Sequence, residues 1–274
     1  MVYNEAERLP RWLAYYGEQF GRENLYVIDH GSEDESSALL DGVTVIPLAR
    51  GSLLDEIARA KLISDQVAEL LEHHERVVFC DVDEFLAPFS GRPLREHLEA
   101  DLPETVTAIG FDVMHRLRVD APLSQLRPVL AQRPHVRFSP FYCKPLVTRR
   151  RVDWRPGFHF SDRPIAFGGL LLFHTRYADA DQGLRRLAVT RNIGLAHAGQ
   201  GLHWKAQDAE FTAVLERAAH ADYRALTPAE VALWERRLLE RLGDHPPNAV
   251  SRIADLADRH LSDYLVPEAL RQLV

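Results

Sequence analysis

Strand-like runs alternate with helical stripes through the first half of this chain, and that alternation restricts it to an α/β sheet. Leu9, Trp12, Leu13, Tyr16 and Phe20 fall on one helical face. Residues 24–29 (NLYVID) read as a buried strand that ends in the polar turn HGSEDES, and residues 43–48 (VTVIPL) as a second strand. Ile63, Val67, Leu70 and Leu71 repeat at helical spacing, in a long helix that Ser52 can cap and that runs to about residue 75. Residues 76–80 (RVVFC) make a third strand and 106–114 (VTAIGFDVM) a fourth. From 120 to 170 prolines alternate with arginines, which predicts short strands and loops. Residues 168–174 (GGLLLFH) form one more buried strand. Beyond 178 the pattern is mostly helical, and Thr227, Pro228 and Glu230 make a good start for a helix over 227–242. With no repeat and no linker, the expected organisation is one domain over 1–190 and a helical extension over 191–274 packed on it.

The chain has 274 residues, 46% apolar and 27% charged, which is enough to bury a full core. A formal net charge of −7, from 33 Lys+Arg against 40 Asp+Glu, argues against a nucleic-acid partner. Cys80 and Cys143 are the only cysteines, so no thiolate zinc site forms from them alone and a reducing setting is expected. No run approaches the roughly 18 apolar residues of a membrane span, and MVYNEAERLP lacks the features of a signal peptide. The expectation is a cytoplasmic protein without a transmembrane segment, open to peripheral contact at the inner face of a membrane.

The chemistry concentrates where the third strand ends. Asp81, Asp83 and Glu84 fall within VVFCDVDEF, and carboxylates so close repel unless something positive joins them. Ligands of open α/β sheets bind beyond the carboxyl ends of the strands. Clustered oxygen ligands there suit Mg2+ or Mn2+ bound to a diphosphate. Asp179 and Asp181 repeat the spacing but precede a helix, where acids complement the dipole, and need no ligand.

NEAERLPRWLAYY, YVIDHGSEDES, CDVDEFL and PGFHFSDRP followed by LLLFHTRY occur in an order that resembles glycosyltransferase family 2-like proteins of the GT-A fold. The similarity covers roughly residues 2–190. It implies a mixed sheet flanked by helices that carries a nucleotide-sugar site, with a UDP-linked donor first among those expected and a glycan, lipid-linked or other hydroxyl compound as acceptor. Asn4 and Glu5 match a first-loop pair beside the nucleotide. Asp29, Ser32 and Asp34 match the segment facing base and ribose, although His30 stands where many members carry a second acid. Asp81 and Asp83 match the pair that reaches the ribose and the metal.

The same resemblance supplies a distal histidine to the metal, for which His159 is the first candidate and His174 the second, the latter more a buried supporting residue. Sugar transfer with inversion needs a general base, and Asp162 occupies a fitting place, with Asp112 and Glu84 as rivals. Lys144 is the cation expected near the diphosphate, whereas Arg149–Arg150–Arg151 reads as a solvated face. Asn4 with Glu7 also reads as an ordinary helix-capping pair.

Other classes fit less well. Aspartate-nucleophile phosphatases want a threonine after the second acid where Phe85 follows Glu84, and the Gly51–Ser52 pair lies too far upstream for a nucleotidyltransferase. A non-catalytic glycan- or nucleotide-sugar-binding module is the remaining alternative. Only Met1, Val2 and Tyr3 precede Asn4, so the first strand is expected to be short, with the chain beginning late and the sheet under-built.

Overall fold

The computed structural model describes residues 1–51, 53–197, 201–242 and 263–274. Its architecture is mixed α/β, with a mixed sheet flanked by helices. Strands β1 (Tyr26–Asp29) and β2 (Thr44–Pro47) pair in parallel. The larger sheet runs β3 (Val77–Val78), β7 (Pro145–Thr148), β5 (Thr105–Val113) and β6 (His135–Phe138). Strand β8 (Phe167–His174) lies parallel to β5 and antiparallel to β4 (Glu84–Pro88). Ile109, Phe111, Leu171, Leu172 and Phe173 in these central strands are fully buried. Each such side chain contributes about 1.5–3 kcal/mol relative to exposure.

Helix α1 (Leu9–Phe20) presents Leu9, Leu13, Tyr15 and Tyr16 to the core. Two of these also grip β4. The Tyr15 hydroxyl donates to the Leu86 carbonyl, and the Tyr16 hydroxyl donates to the Glu84 carbonyl at 3.1 Å while accepting from the Leu86 amide at 3.1 Å. That fixes the strand on which Glu84 begins. The capping pair expected at Asn4 and Glu7 does not form. Asn4 takes a left-handed conformation, φ 51°, and its Oδ1 accepts from the Glu33 amide at 2.8 Å instead.

Helix α2 (Glu56–Leu70) starts later than Ser52, which lies outside the described residues. Asp55 caps it, accepting from the amides of Ile57 at 2.8 Å and Ala58 at 3.1 Å. The tail is not purely helical. Beyond the short helices α3 (Leu94–Leu98) and α4 (Val129–Gln132) come α5 (Ala180–Arg191), α6 (Asp208–Ala219) and α7 (Pro228–Leu242), and strands β9 (Arg224–Ala225) and β10 (Asp263–Leu265) extend the sheet, β10 lying antiparallel to β6. Tyr264 explains the attachment: it is wholly buried, and its hydroxyl accepts from Trp234 Nε1 at 2.8 Å. Ahead of Asn4, Val2 makes a single parallel bridge to Asp29.

Candidate functional site

Register builds the site. Glu84 on β4 lies opposite His174 on β8, and His174 lies beside Asp112 on β5. Residues directly across a sheet share a face at about 5 Å, so three ionisable side chains stand in one row at the strand ends. Asp81 and Asp83 come down beside this row in the turn between β3 and β4. Together they line a cavity of about 670 Å3.

Each acid meets a cation from another element. Arg59 of α2 reaches Asp81 at 2.6 Å, and Arg8, ahead of α1, reaches Asp83 Oδ2 at 3.2 Å. Arg186 of α5 reaches Glu5 at 2.6 Å. Lys144 stands beneath, its Nζ 2.5 Å from Glu84 Oε1 and 3.9 Å from Asp81 Oδ2, with only 3% of the lysine exposed. Burial opposes the Lys144 ammonium, but Glu84 and Asp81 outweigh it and hold its pKa above the ordinary value. Burial pushes the Glu5 carboxyl up to about 7, against the pull of Arg186 and Arg8.

One acid–histidine pair differs from these ion pairs. His174 Nε2 faces Asp83 Oδ2 at 3.4 Å, and its Nδ1 is held by Asp112 Oδ1 at 2.7 Å. Burial disfavours the imidazolium, yet Asp83 first and Asp112 with it raise the His174 pKa to about 9. Burial likewise opposes the Asp83 carboxylate, and His174 and Arg8 overcome it, leaving its pKa well below the carboxylate range. Metal bonds of about 2.1 Å place neighbouring ligand atoms roughly 3 Å apart. The 3.4 Å between Asp83 Oδ2 and His174 Nε2 is close to that separation, and were Nε2 to give up its proton the two would be neighbouring ligand atoms, with Asp112 orienting the ring. Among the described residues no group of three His, Cys, Asp or Glu gathers on one such point. Remaining positions would fall to phosphate oxygens and water, as is usual for Mg2+.

Tyr142 covers the histidine, its ring stacked on His174 with centroids 3.8 Å apart. Gly110 of β5 makes that approach feasible, because a Cβ there would come within 2.3 Å of the Tyr142 carbonyl carbon. Gly110→Ala is expected to push the 140–142 turn off the sheet and destabilise the fold by about 1–3 kcal/mol. Urea unfolding measures this, and an unchanged midpoint would mean that the turn yields freely.

Of the residues expected to bind donor, Glu5, Asp81 and Lys144 line the cavity with Asp83, Glu84, Asp112, His159 and His174. Four others stand apart, because their polar groups fasten one loop to another. Ser32 Oγ accepts from the Asn4 amide at 3.1 Å, Asp29 Oδ1 from the Ser32 amide at 3.0 Å, and Asp34 Oδ2 from the Ala6 amide at 3.1 Å. Asp162, expected as the base, is off the cavity too. Its loop closes on itself through a bridge between Trp154 and Ser161, and its Oδ1 accepts from the Asp153 amide at 2.8 Å. His159 lies edge-on to Phe141, centroids 5.9 Å apart. Asp179 caps α5, accepting from the Gln182 amide at 3.0 Å, and Asp181 lies in the first turn of that helix.

Sequence reasoning missed Arg8, Arg59 and Arg186. Their signal was weak: Arg59 lies on α2, Arg186 on α5 and Arg8 immediately ahead of α1, and a single arginine in or beside a helix reads as a solvated side chain. Among the described residues no helix is long and apolar enough to cross a membrane. Compared with known proteins, the sequence matches no family model and no curated protein significantly.

Proposed function

We propose that this chain is a metal-dependent glycosyltransferase of GT-A type, moving a sugar from a nucleotide-sugar, UDP-linked in the first instance, to a hydroxyl acceptor such as a glycan or lipid-linked compound. The observation that carries the reading is Asp83 Oδ2 facing His174 Nε2 at 3.4 Å, with Nδ1 on Asp112 at 2.7 Å, in a cavity at the strand ends. Mn2+ or Mg2+ held by Asp83 and His174 would supply a Lewis acid to the departing diphosphate.

The surrounding cations do the rest of the anion binding. Arg8, Arg59 and Arg186 point guanidinium groups at Asp83, Asp81 and Glu5 in turn, Arg59 also at Glu56 and Arg186 also at the Tyr3 and Asn4 carbonyls, so that three cations converge on this cavity. Arg59 Nε is buried and has no hydrogen-bond partner among the described residues, so a donor oxygen would satisfy it. Asp81 serves this reading as the residue that aims Arg59, and Glu84 as the one that aims Lys144.

Thermal unfolding with UDP-, GDP- and dTDP-sugars, each with and without Mn2+, tests the proposal. A donor at a hundredfold excess over its Kd stabilises by about 2.7 kcal/mol, which raises Tm by roughly 5–10 °C in a chain of this size. The shift is expected for one donor and only with metal present. Absence of any shift across the set would remove the transferase reading and favour a binding module for another ligand.

A further inference from the structure

The two most exposed large apolar side chains among the described residues belong to one loop. Val119 is 58% exposed and Leu126 95%, both within residues 115–128, between β5 and α4. Apolar residues scattered singly over a surface are ordinary. Two on one loop are less so, and this loop is held in place from within the protein.

Side chains tie down its backbone in both halves. The Arg116 amide donates to Asp120 Oδ2 at 2.9 Å, and the Arg116 guanidinium meets Asp120 Oδ1 at 2.7 Å. Arg118 turns the chain between them in a left-handed conformation, φ 65°, uncommon outside glycine. Gln132, at the end of α4, closes the other half. Its Oε1 accepts from the Ser124 amide at 2.8 Å, and its Nε2 donates to the Ser124 and Arg127 carbonyls at 3.0 Å each. Buried Arg133 donates to the Ala121 carbonyl at 2.6 Å. Backbone groups satisfied within the protein lose little on leaving water, so a loop of this kind enters an apolar layer at low cost.

Charge decides what that layer is. Residues 115–128 hold three arginines and one acid, and the acid, Asp120, is taken by Arg116. Arg118 and Arg127 remain, both exposed and neither with an acidic partner among the described residues. They flank the apolar tips, Arg118 beside Val119 and Arg127 beside Leu126, in a chain whose net charge is −7. An apolar tip with a cation next to it matches a surface that is oily within and anionic at its plane. The loop also borders the carboxylate cavity. The His115 amide donates to the Tyr177 carbonyl at 2.8 Å, and Gln125 Nε2 donates to the Glu7 carbonyl at 3.3 Å, next to Arg8. Tyr177 and Arg8 both line that cavity.

We propose that residues 115–128 form a docking surface for an anionic membrane, with Val119 and Leu126 entering the acyl boundary and Arg118 and Arg127 meeting headgroup phosphates. Docked in this way, the cavity lies beside the bilayer. On the sugar-transfer reading, on which this last step rests, the acceptor hydroxyl is then carried by a lipid and not by a free glycan.

Co-sedimentation with vesicles tests the docking without donor or turnover, so its failure leaves the donor-binding reading standing. The full chain is expected to bind vesicles of equal parts phosphatidylcholine and phosphatidylserine, to bind phosphatidylcholine alone several-fold less, and to be released as salt rises. Leu126→Ser should weaken binding about tenfold, and Arg118→Gln with Arg127→Gln about 25-fold. Leu239→Ser, at an exposed leucine on α7, should leave it unchanged. All of these side chains are exposed, so urea midpoints should stay at the parent value. No sedimentation with the anionic vesicles would overturn the proposal, as would equal binding to both kinds of vesicle. Binding that survives both the leucine and the arginine changes would overturn it too. A concentration-dependent dimer dissolved by Leu126→Ser would do the same, since the loop would then face a second copy of the chain.

Discussion

Lys144→Met is expected to destabilise the protein by about 3–5 kcal/mol, because it leaves buried carboxylates without their cation. The lysine is 3% exposed and Glu84 1%, so water cannot replace the lost partner. Asp81 Oδ2, 3.9 Å from the same ammonium, loses part of its compensation as well. Methionine keeps the length and apolar stem of lysine, so packing contributes little to the loss. The second half of the argument is a rescue. Glu84→Leu combined with Lys144→Met removes both charges, and exchanging a buried ion pair for apolar side chains is often neutral or stabilising. Urea unfolding of the two single variants and the double gives the coupling directly. A single-variant cost below about 1 kcal/mol would mean that the pair is screened like a surface bridge.

How far the sequence carries toward this arrangement depends on whether a feature is local. Strands β1, β5 and β8 are legible because unbroken apolar runs have few other uses, and α1 and α7 because their stripes repeat at helical spacing. The turn holding Asp81 and Asp83 is legible for the same reason, since a buried strand delivers it. Register is not local. Nothing within LLLFHTRY says that His174 stands beside Asp112 rather than one residue away, yet a one-residue slip would send it to the other face. The polar loop residues Asn4, Asp29, Ser32 and Asp34 show the converse. Their types fit both a ligand site and a loop clamp, and the structure uses their groups on one another. Strands β9 and β10, two and three residues long, are too short to show any period, which is why the tail reads as helical.

The metal assignment separates into a ligand and the residue that aims it. On the proposed reading His174→Ala is expected to abolish Mn2+ binding, and Asp83→Asn to do the same, because each would remove one of the two protein ligands facing each other at 3.4 Å. His159→Ala, in the same cavity but edge-on to Phe141, is expected to leave the affinity within a few-fold, reversing the order that the sequence suggests. Asp112→Asn is the more discriminating change. An amide keeps the size of the side chain but accepts the Nδ1 hydrogen less strongly, so the ring loses its fixed tautomer and some basicity at Nε2. Losses of about 10–100-fold follow when such orienting partners are replaced. Isothermal titration with Mn2+ alone reads all four variants without any need for turnover, and unchanged urea midpoints separate loss of metal from loss of fold. If Asp112→Asn binds Mn2+ as the parent does while His174→Ala does not, the histidine is a ligand whose orientation comes from the stacked Tyr142 instead. If both bind normally, Asp83 and His174 are simply an ion pair, and the cationic cluster around them must hold the diphosphate unaided.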